Sequence, residues 1–294
     1  MQANDLRKQI TGQIVEALES GNLPPWRKPW NNDPAAGFPT NALTHRNYRG
    51  INPLLLDLSG MKQGFQSRFW ATFRQWKELG AWVKRGARGT RIIFFRPLEK
   101  TQTNDEGEEE TEKIFLMRSF VVFNAEQVDG TNLEQFRVGT TPMTPAAPDA
   151  RFDDADEVVA ATDADIRFGG NRAFYVPSAD FIQMPLREQF NTAGQFYETL
   201  FHEVVHWSES RRKWEGSYEL GELIAEVGSC YLSAELRLPL GEDLSNHAAY
   251  LKGWLKAMKS DPAFIFRASS EASKAADFIM AFRASAQPQP ATAE

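Results

Sequence analysis

Two of the four histidines in this 294-residue chain fall in the string His202-Glu203-Val204-Val205-His206. Histidines four residues apart share one face of a helix, so both imidazoles can bind one divalent ion. Glu203, one step round, can reach a metal-activated water rather than the metal and take its proton as general base. That chemistry is hydrolysis, with a peptide bond as the expected target. The spacing works only on a helix. Asn191 or Thr192 supplies an N-cap, and Phe196, Leu200, Val204 and Trp207 form an apolar stripe, so the pattern predicts a helix over 192–208.

A hydrolytic zinc takes three protein ligands and leaves a position open. The next helix, predicted over 218–236, offers Glu219, Glu222, Glu226 and Cys230. Glu226 lies roughly 100° from the centre of that helix's apolar stripe and Glu222 roughly 140°. The edge position makes Glu226 the expected third ligand with His202 and His206, and Glu222 the runner-up. Glu219 reads as a solvated face, and Cys230 as a small buried hydrophobe within reach of the site. Ligand type does not separate Zn²⁺ from Mn²⁺ or Co²⁺. The segment 173–185 can supply an edge strand for an extended substrate. Tyr175, His247 and Tyr250 are candidate donors to a developing oxyanion.

The elements that must position these groups form two parts. In the first, Leu6, Ile10, Ile14, Val15 and Leu18 mark a helix stopped by Gly21. A short helix runs from Asn52 to Leu58 and another from Trp70 to Leu79. Strands follow at Ala81–Val83 and Thr90–Arg96, joined by the turn Gly86-Ala87-Arg88-Gly89. A polar, acidic loop is expected over 101–113 and a strand at Ile114–Phe123. A Pro-rich linker occupies 136–150. The second part opens with a helix near Asp153–Thr162. A hairpin of strands Arg172–Val176 and Phe181–Met184 follows, and helices near 243–258 and 270–283 come after the two site helices. The expected division is 1–135, linker 136–150, 151–285 and a frayed tail 286–294, an α+β chain throughout.

Composition narrows the setting. Hydrophobic residues make up 42% and charged residues 24%, which fits a folded chain. No apolar run suits a membrane span, the polar start is unlike a signal peptide, and a single cysteine excludes an internal disulfide. These features lead to the expectation of a cytoplasmic protein with no membrane partner. The net charge of −6 conceals an imbalance. Residues 1–100 hold 16 Lys+Arg against 7 Asp+Glu, and the remainder 17 against 32. Five of the eight tryptophans also lie in residues 1–100. Aromatic faces among cations suit single-stranded nucleic acid, whose bases stack and whose phosphates pair. Arg27, Lys28, Arg46, Arg49, Lys84, Arg85, Arg88 and Arg91 are the phosphate candidates, and Trp26, Trp30 and Tyr48 the stacking candidates. Trp70, Phe73 and Trp76 recur at helical spacing and read as core. The acidic run from Asp105 to Glu112 reads as a solvated loop, with mimicry of DNA phosphates as its alternative.

Leu200-Phe201-His202-Glu203-Val204-Val205-His206-Trp207 followed by Glu222-Leu223-Ile224-Ala225-Glu226-Val227-Gly228 resembles the ArdC-type plasmid antirestriction proteins, with a gluzincin-like ligand pattern. Leu23-Pro24-Pro25-Trp26-Arg27-Lys28-Pro29-Trp30, Asn47-Tyr48-Arg49-Gly50-Ile51-Asn52 and Trp76-Lys77-Glu78-Leu79-Gly80 resemble that family's N-terminal domain, itself similar to part of plasmid TraC primases. The resemblance implies a single-stranded-DNA-binding front, a zincin-like metallopeptidase back and protection of incoming conjugative DNA. A protein substrate, such as a host restriction factor, would follow from the same resemblance. The alternative is a non-catalytic DNA-coating protein whose metal braces the back domain; Glu203 favours the enzyme, since a structural site needs no base.

Overall fold

The computed structural model describes residues 3–20, 24, 26–27, 35–103, 109–138, 151–238 and 248–286, without the side chains at 3, 96–103, 109–116, 248–249 and 284–286. Lys28, Trp30, His247, the tail beyond 286 and the linker beyond 138 lie outside the described residues.

Helix α1 (Ala3–Glu19) buries Leu6, Ile10 and Ile14, one per turn. Helix α2 (Asn52–Gln63) begins with Pro53 in its first turn and stops at Gly64, whose φ of 77° lets its N–H turn back to the Gly60 carbonyl. Strands β1 (Thr40–Asn41), β2 (Phe69–Thr72), β4 (Thr90–Thr103) and β5 (Glu109–Asn124) make a sheet in the order β1-β2-β5-β4. Helix α3 (Phe73–Glu78) intervenes, and β3 (Ala81–Val83) pairs with β6 (Val128–Gly130) in a separate two-stranded sheet.

Three expectations are corrected here. Residues 70–72 are strand rather than helix. Thr72 is the N-cap of α3: its hydroxyl accepts from the Gln75 N–H, and the Gln75 side chain accepts from the Thr72 N–H. The helix therefore starts at Phe73, which leaves Trp70 and Trp76 buried but Phe73 57% exposed. The Gly86 turn does not close a β3–β4 hairpin, because β3 finds its partner in β6. The acidic loop expected over 101–113 is strand at both of its ends, and residues 104–108 lie outside the described residues. The β4–β5 ladder extends through Thr103 opposite Glu109.

The second part opens with α4 (Asp153–Ala161) and a three-stranded sheet of β7 (Asp165–Phe168), β9 (Phe181–Met184) and β8 (Phe174–Val176). β9 is central, parallel to β7 and antiparallel to β8, which leaves β8 on an edge as expected. Four helices complete it: α5 (Ala193–Arg211), α6 (Tyr218–Glu235), α7 (Ala248–Ser260) and α8 (Phe264–Ala286). Helix α6 is buried all round, every residue from Gly221 to Ala234 being covered, and it packs on both α5 and α8. Its approach to α5 is closest at Gly228, where a Cβ would lie 2.9 Å from Val205 Cγ2. The two parts share the main core cluster, while smaller clusters around Trp76 and Trp70 lie wholly in the front. Leu6, Ile10, Leu54 and Leu58 from the front belong to the same buried cluster as Val204, Leu223 and Ile279. No helix among the described residues is long and apolar enough to cross a membrane.

Candidate metal centre

Thr192 caps α5, its hydroxyl accepting from the Gln195 N–H at 3.2 Å. Ser217 caps α6 in the same way, accepting from Leu220. The caps start two packed helices whose facing sides hold the site. His202 and His206 lie one turn apart with their Nε2 atoms 3.3 Å from each other. Glu222 of α6 faces both, its Oε2 being 3.5 Å from His202 Nε2 and its Oε1 3.8 Å from His206 Nε2. The ligand atoms of His202, His206 and Glu222 all lie within 4.8 Å of one another. Two imidazole nitrogens and a carboxylate oxygen turned inward fit the donor set of a catalytic divalent site.

Glu226, expected as third ligand, is not in this group. It is one turn further along α6, where Arg27 Nε donates to its Oε1 at 2.7 Å and Trp26 Nε1 at 3.3 Å. Glu222, the runner-up, takes its place. Distance from the apolar stripe equals distance from the protein interior only where one face of the helix meets solvent. On a helix covered on every side that equivalence fails, and Glu222 is only 7% exposed.

Electrostatics follow from the crowding. Burial opposes protonation of His202, but the Glu222 hydrogen bond and the charges of Glu203 and Glu226 outweigh it and hold its pKa above the ordinary value. Burial raises Glu222 in turn, yet bonding to His202 and the nearby His206 leave it below the ordinary carboxylate range. Glu203 is pushed up by burial, more than the two histidines pull it down. A carboxylate raised in this way is suited to accept a proton. Tyr175 of the edge strand β8 and Glu203 line the same cleft.

These groups line a cleft of about 1080 Å³ between β8, α5 and α6. Tyr175 and Tyr250 both line it, but the Tyr175 hydroxyl is committed to Asp180 at 2.9 Å. Tyr250 places its hydroxyl 3.2 Å from that of Tyr218. Sequence reasoning missed Tyr218, whose phenol is held above its ordinary pKa chiefly by its bond to Tyr250. It also missed Glu209, whose Oε1 is 2.9 Å from His206 Nδ1. The signal was present, since Glu209 stands three residues past His206 on the same helical face.

The expected nucleic-acid residues separate. Trp26 and Arg27 are buried in the protein, and Arg27 pairs with Glu198 and Glu226. Neither is a surface group, which corrects their assignment to stacking and phosphate contact. Arg49 pairs with Asp277 at 2.6 Å and Glu235 at 3.4 Å. The Tyr48 hydroxyl bonds the Trp70 carbonyl at 3.2 Å, and its ring packs against the small cluster around Trp70. Lys84 lies 3.7 Å from Asp129. Arg46, Arg85, Arg88 and Arg91 are exposed. The front surface also exposes aromatics that were not singled out: Trp82, and the edge-to-face pair Phe94 and Phe120, with centroids 6.4 Å apart.

Residues 4–123 match the family model described as the N-terminal domain of anti-restriction factor ArdC, and residues 153–271 match a zincin-like metallopeptidase. Two crystal structures of the antirestriction protein ArdC of plasmid R388 are similar over nearly the whole chain. The metal-free form is 38% identical with a TM-score of 0.78, covering 97% of this chain and 100% of that one. The Mn(II)-bound form is 35% identical with a TM-score of 0.74, covering 96% and 99%. An uncharacterised protein, y4eC, of Sinorhizobium fredii is 34% identical over 96% of this chain and 94% of its own length. The DNA primase TraC of Escherichia coli is 35% identical over 94% of this chain, which spans only 27% of that primase.

Proposed function

From the premise that this chain belongs to the ArdC antirestriction family, we propose that it is a metal-dependent peptidase, with zinc as the working ion, carried on a single-stranded-DNA-binding front and protecting incoming plasmid DNA. The observation that carries the hydrolytic half is the convergence of His202, His206 and Glu222 beside Glu203 in one cleft. A divalent ion bound there would lower the pKa of water and polarise a carbonyl. His202 and His206 would hold it through Nε2, and Glu222 through a carboxylate oxygen. Glu209 accepts from His206 Nδ1–H and so fixes the tautomer that presents Nε2. Glu203 takes the proton of the attacking water and delivers it to the leaving nitrogen. The open edge of β8 pairs with an extended peptide and sets its scissile bond across Glu203.

The nucleic-acid half rests on the exposed set of Arg46, Arg85, Arg88 and Arg91 with Trp82, Phe94 and Phe120. Bases stacking on these rings contribute about 1–3 kcal/mol each. The cytoplasm, where incoming strands arrive, is the compartment this reading implies.

Two measurements test the two halves. Glu203→Gln, loaded with one metal equivalent, should lose protection of a transferred plasmid. Protection equal to wild type would favour a DNA-coating protein with a bracing metal. For the front, Phe94→Ala with Phe120→Ala should weaken binding to single strands more than to duplex. A salt series on the wild type should show the falling affinity of phosphate contacts, and a flat response would remove the nucleic-acid reading.

A further inference from the structure

Among the described residues Arg27 is the largest charged side chain that is buried, and it comes from the front of the chain. Its guanidinium stands between α5 and α6, donating from Nε to Glu226 and from Nη2 to Glu198. Glu198 is one turn before His202 on α5, and Glu226 is one turn after Glu222 on α6. The bridge therefore spans the same two helices as the His202, His206 and Glu222 group, one turn away. Its neighbour Trp26 makes a second connection. Trp26 meets Trp254 edge-on at 6.3 Å, Tyr250 stacks on Trp254 at 5.8 Å, and the Tyr250 hydroxyl reaches Tyr218, one turn before Glu222 on α6. Beneath the guanidinium, ligand atoms of Glu198, Glu226 and Cys230 lie within 4.8 Å of one another.

We propose that Arg27 is a positioning residue for the metal site: its guanidinium is the fixed cation that holds α5 and α6 at the spacing where His202, His206 and Glu222 converge, and it fills a cradle of two carboxylates and a thiol. The inference rests on the metal reading above. It gives the front of the chain a direct part in the hydrolytic centre. A guanidinium suits the task because its rigid fork can satisfy two carboxylates at once, which a point charge on a flexible stem cannot.

The test uses the full chain and Mn(II), Zn(II) and Co(II) alone, read by isothermal titration and by the visible spectrum of bound Co(II). Wild type should bind one equivalent. Arg27→Met should keep its far-UV circular dichroism and bind that equivalent about 10- to 100-fold more weakly, the range seen when a group behind a metal ligand is lost. Its Co(II) spectrum should shift as the ligand spacing changes. Arg27→Lys should recover part of the loss, leaving an intermediate affinity. Arg27→Ala should take up a second Zn(II) in the vacated cradle, and adding Cys230→Ser should abolish that second equivalent. Arg27→Lys and Arg27→Ala with wild-type affinity, spectrum and stoichiometry would overturn the proposal, even if Arg27→Met fails to fold. A wild type that binds no metal would instead sink the metal reading, and the proposal with it.

Discussion

His206 Nδ1 lies 2.9 Å from Glu209 Oε1, and that contact decides what the other ring nitrogen can do. With Nδ1–H donated to the carboxylate, Nε2 keeps its lone pair and faces Glu222 and His202. Glu209→Ala should therefore raise the metal dissociation constant about 10- to 100-fold without unfolding the protein, as measured by competition with a chelator. A variant that holds metal as tightly as wild type would mean the ring is oriented by packing alone. A second prediction at this scale concerns Tyr48 in the front part. Burial pushes its phenol up from 10.0 to about 12, while the Asn41 bond pulls weakly the other way. The folded-state pKa is raised, so the neutral phenol's contribution is complete below pH 10 and fades as pH climbs towards 12. Between those values the unfolded chain loses the proton and the folded chain keeps it, which costs stability. At about 1.4 kcal/mol per pH unit, the fall should amount to about 2–3 kcal/mol by pH 12. Tyr48→Phe should lack this component, so denaturant midpoints of the two proteins should converge as the pH rises from 10 to 12. A constant gap would refute the assignment.

At the scale of elements, the site depends on how closely two helices approach. Gly228 is the contact point, since a methyl group there would stand 2.9 Å from Val205 Cγ2. Val205 is 0% exposed and hemmed in by core, so α5 and α6 must separate rather than the side chain swing away. Gly228→Ala should cost about 1–3 kcal/mol as an overpacked interior. Because the same spacing sets the His202–Glu222 distance, it should also weaken metal binding; unaltered affinity would show that the helices yield elsewhere. The sequence was most legible where a signal is local. The His-Glu-x-x-His string, the Thr192 cap and the Phe196–Val204 stripe all fall on α5, and the helix forms there. The strands at 174–176 and 181–184 were likewise readable, while the edge position of β8 was expected only from the resemblance to zincin peptidases. What failed was long-range. Glu222 and Glu226 cannot be ranked from one helix's stripe when neighbours cover every face, and Arg27 meets Glu226 across 199 residues of sequence. A cation among prolines looks like surface until that partner is known. The β3–β6 pairing failed for the same reason, because a three-residue strand carries too little pattern to name a partner 45 or more residues away. Even the α3 boundary was local, though, and the Thr72-to-Gln75 capping box should have placed it.

At the scale of the molecule, the front and back are joined by a shared core cluster, beside which the front keeps two smaller clusters of its own. Helix α1 lays Leu6, Ile10 and Ile14 into the cluster built by α5, α6 and α8, and the Thr11 hydroxyl donates to the Pro262 carbonyl at 2.7 Å. The turn at Gly50 is held on both sides, its N–H donating to Ser273 Oγ at 2.9 Å and its carbonyl accepting from the Tyr231 hydroxyl at 2.9 Å. Arg49 adds ion pairs to α6 and α8. Apolar burial is the dominant favourable term, so a shared core should melt as a unit rather than in two steps. A metal bound only in the back then stabilises the front as well. At a free Mn(II) concentration 100 times its dissociation constant, mass action adds about 2.7 kcal/mol to the folded state. Amide exchange limited by global opening should therefore slow by about a hundredfold both in α6 beside the site and in β5 of the front sheet. Protection gained in α6 with none in β5 would show two independent folding units. It would also break the physical route by which the front could influence the cleft at the candidate metal site, since that route depends on the two parts opening together.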